Sequence, residues 1–156
     1  MRHSRILGTA VGLLVVIGLA AAGTAYGKKT TVRDDAKRTE GVWTLVSGEA
    51  DGEPLSEEAV SVARLTIVGD AYTVQLGALG VKKGTQKLDS TKAPKKIDAQ
   101  DAAGPTVGLN HGIYEFDANG DFRVCFAATG KERPTEFATK PGSGTFMHVW
   151  RKAESK

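Results

Sequence analysis

Two five-residue runs, Gly112-Ile113-Tyr114-Glu115-Phe116 and Phe122-Arg123-Val124-Cys125-Phe126, flank the segment Asp117-Ala118-Asn119-Gly120-Asp121. No other feature of the chain constrains its fold as strongly. Both runs are rich in aromatic and β-branched residues, and the segment between them is made of turn formers, which is the signature of a β-hairpin. A three-residue loop over 118–120 places Gly120 at the left-handed position of a bulged turn. Tyr114 then faces Val124, and Phe116 faces Phe122 with Phe126 on the same side. Glu115 faces Arg123 on the other side as an opposite-charge cross-strand pair. A two-residue Asn-Gly loop would instead set Phe116 against Arg123 and Glu115 against Val124, mixing the two faces. The first register separates apolar from charged residues and is the one expected.

The same texture continues along the chain. Helical periodicity is nearly absent, and short runs of Val, Ile, Thr, Tyr, Phe and Trp alternate with Gly, Asp, Asn, Pro and Lys punctuation, as in all-β domains. Eight strands are predicted, over 42–49, 64–68, 71–76, 85–88, 95–100, 112–117, 122–127 and 145–151. Ser56 followed by Glu57 and Glu58 caps at most one short helical turn. Gly69-Asp70 reads as a tight turn, 77–84 as a flexible corner, 90–94 as a turn, and 102–111 and 128–144 as longer loops. Eight short strands with short links suit an antiparallel barrel or a sandwich. Full closure removes exposed strand edges, and an eight-stranded interior is either filled by side chains or holds one small ligand.

The N-terminus has a different character. Arg2, His3 and Arg5 precede an uncharged, mostly apolar run over 6–22, and small residues follow. Residues 1–27 therefore read as a secretory signal peptide, cleaved after Ala25 or Gly27, or as an uncleaved membrane anchor. Residues 28–39 are polar without periodicity and read as a flexible linker, 40–152 as the domain, and 153–156 as a disordered tail. Arg2 and Arg5 leave with the leader, so the 21 basic residues fall to 19 against 18 acidic. Such a balance gives no argument for a nucleic-acid partner. The acidic stretch 49–58 and the lysine-rich stretch 82–96 read as solvated faces. The single cysteine, Cys125, rules out an internal disulfide and reads as a packed small hydrophobe.

Few residues invite chemistry. His111, His148 and Glu115 lack ligand-like spacing for zinc, so no metal is expected. Ser143 lies in a Pro-Gly-Ser-Gly-Thr loop without the strand-to-helix elbow of a nucleophile, and no catalytic residue or cofactor is predicted. Lys95, within the lysine-rich stretch, and Arg133, within Gly-Lys-Glu-Arg-Pro-Thr-Glu-Phe, are candidates for the rim of an opening, where Arg133 would bind a carboxylate in a two-pronged fashion. Their alternative roles are a rigid corner and a local ion pair.

The pieces EGVWTLVSGEADGEPL, LTIVGDAYTV, KLDSTKAPKKIDAQ, GIYEFDANGDFRVCFA, GKERPTEFAT and GSGTFMHVWRK resemble, in order and spacing, a small exported domain found repeatedly in planctomycete bacteria. That domain is described as lipocalin-like and has no assigned activity. The resemblance covers about 41–151 and implies a lipocalin-like antiparallel barrel with no catalytic residues to carry over. By analogy with lipocalins, Gly41-Val42-Trp43 would open the first strand, Trp43 would close one barrel end, and Arg151 would lie over its ring. Tyr72, Tyr114, Phe116, Phe122 and Phe146 are the expected barrel lining. The function expected is non-catalytic binding outside the cytoplasm. The partner is a small hydrophobic ligand or, alternatively, an envelope protein, and the membrane is met only through an uncleaved N-terminal segment.

Overall fold

The computed structural model describes residues 32–104 and 107–154. The leader read over 1–27 lies outside the described residues. The chain runs through helix α1 (Val32–Thr39), strand β1 (Gly41–Ala50), a two-residue strand β2 (Glu53–Pro54), helix α2 (Glu57–Val62), β3 (Arg64–Val68) and β4 (Ala71–Gln75). A 3-10 turn (Gly77–Leu79) leads to β5 (Val81–Asp89), β6 (Lys95–Ala103), β7 (Gly108–Phe116), β8 (Phe122–Phe126) and β9 (Phe146–Lys152). The order around the sheet is β1-β3-β4-β5-β6-β7-β8-β9, all antiparallel, and β9 pairs with β1 again. The result is a closed eight-stranded barrel, with β2 folded back on the end of β1.

Local chemistry accounts for the elements. The β7–β8 hairpin has the register that separates apolar from charged: Tyr114 faces Val124, Glu115 faces Arg123 and Phe116 faces Phe122. Gly120 has a φ of 83°, and the Asp117 backbone N–H donates to the Asp121 carbonyl at 3.0 Å. Ser56 caps α2, its hydroxyl accepting from the Ala59 N–H at 3.2 Å. In β1 the pairing shifts between Leu45 and Ser47, so Val46 bulges out and Leu45 and Gly48 both face inward, opposite Trp150 and His148. A bulge re-phases a strand in this way without leaving the sheet.

Three expectations are corrected. The corner over 77–84 is largely structured, because β5 begins at Val81. With β6 reaching Ala103 and β7 starting at Gly108, the following loop is also shorter than predicted. Helical content is small, as expected of an all-β barrel: two short helices and one 3-10 turn among the described residues. Finally, residues 32–39 are helix rather than linker. The Asp35 carboxylate is fully buried and accepts from the Tyr114 hydroxyl at 2.8 Å and from Lys95 Nζ at 2.7 Å. Arg38 lies 3.8 Å from the centre of the Phe116 ring. Helix α1 therefore plugs one end of the barrel, a role that no local periodicity reports.

The loop over 128–144 crosses the outer wall. It lets Cys125, which strand alternation points outward, be fully buried, with Sγ 3.7 Å from the Ala138 carbonyl. Burial pushes this thiol's pKa up, away from reactive thiolate character.

Candidate functional site

The barrel half away from α1 holds a cavity of about 320 Å³. Leu65, Val74, Ile97, Val124, Phe126 and Trp150 belong to its apolar wall. All come from the inward phase of strands β3, β4, β6, β8 and β9. On β9 the inward residues form a ladder: Phe146 stacks on Phe126 with ring centres 5.4 Å apart, His148 lies 5.5 Å from Phe146, and Trp150 meets His148 edge-on at 5.6 Å.

A polar cluster interrupts this wall. Asp101 is fully buried, and a buried carboxylate requires several partners. It accepts from the Tyr72 hydroxyl, from Asn110 Nδ2 at 2.8 Å and from Lys82 Nζ at 2.6 Å. Tyr72 reaches it across β5 because the intervening residue is Gly84, where a Cβ would lie 2.6 Å from the Tyr72 hydroxyl and 2.2 Å from the Gln100 carbonyl. Burial, and then the carboxylate itself, hold the Tyr72 hydroxyl protonated by raising its pKa. Asn110 is fixed from its other side, where Oδ1 accepts from Thr129 at 2.8 Å.

His148 is the second polar feature. Gly48 stands opposite it, and a Cβ there would crowd both Leu55 and the imidazole. Among the described residues the His148 ring nitrogens have no hydrogen-bond partner. Burial, followed by the nearby Lys82 charge, lowers its pKa to about 4. At neutral pH the cavity therefore presents an uncharged imidazole beside an ammonium.

The expected lining is brought together only in part. Tyr72, Phe122 and Phe146 line the cavity. Tyr114 and Phe116 share their inward face but lie beneath α1, where they pack on each other edge-on at 6.3 Å. Lys95 is at this plugged end too, bound to Asp35, and is not at an opening. Arg133 is on the outer wall, where it donates to the Ile97 and Gly112 carbonyls at 2.9 and 2.6 Å and to Asp98 at 2.6 Å. Burial alone would raise the Asp98 pKa, but hydrogen bonds from His111 and Arg133 hold it down.

Trp43 closes the α1 end, 1% exposed, its indole N–H donating to the Thr39 carbonyl at 2.7 Å. Gly41 enters β1 with a φ of 119°, which favours glycine. The cation over the indole is Lys152, at 5.2 Å, not Arg151. Lys152 pairs with Trp43 and Arg151 with Thr44, so Arg151 points to the outer face. There it binds Asp121 at 2.6 Å, and that hydrogen bond lowers the Asp121 pKa. His111 and Glu115 also lie outside, bound to Asp98 and Arg123, so the wall separates them from His148.

Lys82, Gln86, Asn110 and His148 carry the polar character of the cavity wall, with Asp101 behind it holding Lys82 and Asn110, and sequence reasoning did not select them. The usable signal was period-2 continuation: Asp101 follows Ile97 and Ala99 on the inward phase of β6, and His148 lies between Phe146 and Trp150. No protein-family model matches the chain, nor does any curated protein or solved structure.

Proposed function

We propose that this chain is an exported, non-catalytic binding protein whose barrel holds one small apolar or amphipathic ligand. The observation that carries this reading is the cavity of about 320 Å³ with its largely apolar wall, at the lower end of the size range of small-molecule sites. One feature supports a binding role over catalysis: the Asp101 carboxylate is engaged by three donors. The proposed place among planctomycete-type exported domains rests on the motifs quoted above. In this fold Gly41-Val42-Trp43 seals one end and the Arg133 segment braces the outer wall.

The test is saturable binding of an environment-sensitive apolar fluorophore at one site per chain, compared with a Val124→Phe variant that fills the cavity. Native mass spectrometry of protein isolated from its own envelope would reveal the natural occupant. Equal binding by a folded Val124→Phe protein would refute the reading. Docking of an envelope protein is the second reading, favoured by the exposure of Val62, Val81, Val107 and Leu109, which lie toward the cavity end of the barrel.

A further inference from the structure

We propose that the ligand is a small amphiphile with an anionic oxygen head group, held between Lys82 and His148, and that His148 takes up a proton when it binds. This rests on the reading of the cavity as a ligand site and adds the chemistry of the occupant.

The cavity volume equals the liquid share of roughly ten water molecules, so a ligand has roughly ten to fifteen non-hydrogen atoms. Most of the wall is apolar, which sets an aliphatic body for most of those atoms. The head group is set by the two polar side chains that flank the Phe146 ring, with Lys82 Nζ 5.4 Å and the His148 ring 5.5 Å from its centre. Lys82 is anchored on Asp101 through one contact. An ammonium carries three N–H donors, so two remain for a ligand.

His148 is enclosed among aromatic rings with no protein partner for its nitrogens among the described residues. His148 is only partly exposed, on the cavity wall, so a ligand oxygen in the cavity can supply the hydrogen bond that the protein does not. The alternative head groups fit less well. A cationic head would face the Lys82 ammonium, and a neutral hydroxyl would forgo the stronger charge-assisted hydrogen bond that an anionic oxygen makes to it.

The charge balance then fixes the proton. Asp101 and Lys82 neutralise each other, so an added anion leaves the cavity with a net negative charge. The charged group that acts on His148 is Lys82 from β5, itself paired with Asp101 of β6, and Tyr72 from β4 lines the same cavity with its hydroxyl on Asp101. The direct cross-strand neighbours of His148 are Val124 on β8 and Gly48 on β1, and neither is titratable. His148 is the imidazole among these side chains, the type suited to take up a proton near neutrality once its surroundings favour the charged form. In the empty cavity, burial and Lys82 keep it neutral. A bound anion reverses this preference, because an opposite charge in contact favours the charged imidazole. Binding therefore strengthens as pH falls, by up to tenfold per unit where one proton is taken up.

The test uses three eight-carbon probes, 1-octanol, octanoate and 1-octanesulfonate, titrated calorimetrically between pH 7 and 5 in buffers of different ionisation enthalpy. The sulfonate stays ionised throughout, so any proton taken up with it must reside on the protein. Octanoate and octanesulfonate are expected to bind at least tenfold tighter than octanol at pH 6. Octanesulfonate is expected to take up close to one proton per site in wild-type protein and none in His148→Gln. Octanol binding as tightly as the anions, or sulfonate binding without proton uptake by wild-type protein, overturns the head-group assignment and leaves the cavity reading standing. Absence of binding by all three probes and by the fluorophore overturns both.

Discussion

Replacing Trp43 with alanine tests the architecture at the residue on which the plugged end depends. Truncating a fully buried large aromatic costs about 3–5 kcal/mol, and Trp43 is 1% exposed with the Phe122 ring 5.8 Å from its own. The Thr39 carbonyl would lose the hydrogen bond that the indole N–H donates to it at 2.7 Å, a loss of about 1 kcal/mol. Lys152 reaches solvent and would lose only a ring contact worth about 0.5–1 kcal/mol. The total, about 4.5–7 kcal/mol, is comparable to the whole stability of a small domain, so Trp43→Ala is expected to be largely unfolded without denaturant. Trp43→Phe keeps most of the apolar surface and drops the N–H, so a cost of about 1–2 kcal/mol is expected. Urea unfolding would be followed by the sheet signal in circular dichroism and by the fluorescence of Trp150, which both variants retain. A folded Trp43→Ala protein less than 1 kcal/mol below wild type, with an unchanged urea slope, would refute the claim that this indole closes the barrel.

Four further outcomes follow from other contacts. Because His148 titrates at about 4 when folded and near 6.5 when unfolded, the unfolded chain binds the extra proton between those values. This part of the stability is complete above about pH 6.5 and is lost as pH falls towards 4, by up to about 3 kcal/mol. Denaturant midpoints of wild type and His148→Gln should diverge over that window, and parallel curves would contradict it. Gly84→Ala forces a Cβ against the Gln100 carbonyl and Tyr72, so thermal unfolding should show a loss of at least about 1–3 kcal/mol. Arg133→Gln gives up charge-assisted bonds on the outer wall, lowering stability by about 2 kcal/mol while fluorophore affinity stays unchanged. A change in affinity would return Arg133 to the rim. Asp35→Ala releases Tyr114 and Lys95 from α1, and hydrogen exchange should show faster exchange in residues 35–39 before any change in β7 and β8.

What the sequence made legible was local. The 112–126 hairpin could be registered residue by residue because only one loop length separates its apolar and charged faces, and the structure pairs Glu115 with Arg123 at 3.2 Å. Strand phase at an element's end was not so constrained. Arg151 and Lys152 are adjacent cations, and only pairing with β1 decides which one faces Trp43. Lysines 82–96 read as a solvated face by composition, yet alternation within β5 turns Lys82 towards Asp101 and leaves Lys83 exposed. Helix α1 was hidden for a different reason. Its stability comes from Asp35 and Arg38 meeting residues of β6 and β7 far along the chain, and eight residues alone make a marginal helix.

The position of the cavity has a cause in side-chain volume. An eight-stranded barrel is narrow enough for its own side chains to fill, so an empty half requires small residues on the inward phase. Towards α1 that phase carries Trp43, Tyr114, Phe116 and Phe122, whose rings touch in sequence. At the opposite end it carries Gly48, Ala50, Gly84, Ala99 and Gly112. Neighbours use the glycine spaces: Tyr72 fills that over Gly84, Phe126 that over Gly112, and Leu55 with His148 that over Gly48. Ala50 and Ala99 face the cavity itself. The void therefore arises where two alanines meet a wall already held apart by the Asp101 cluster. That cluster resists collapse because closing the space would strip a buried carboxylate of partners it cannot replace.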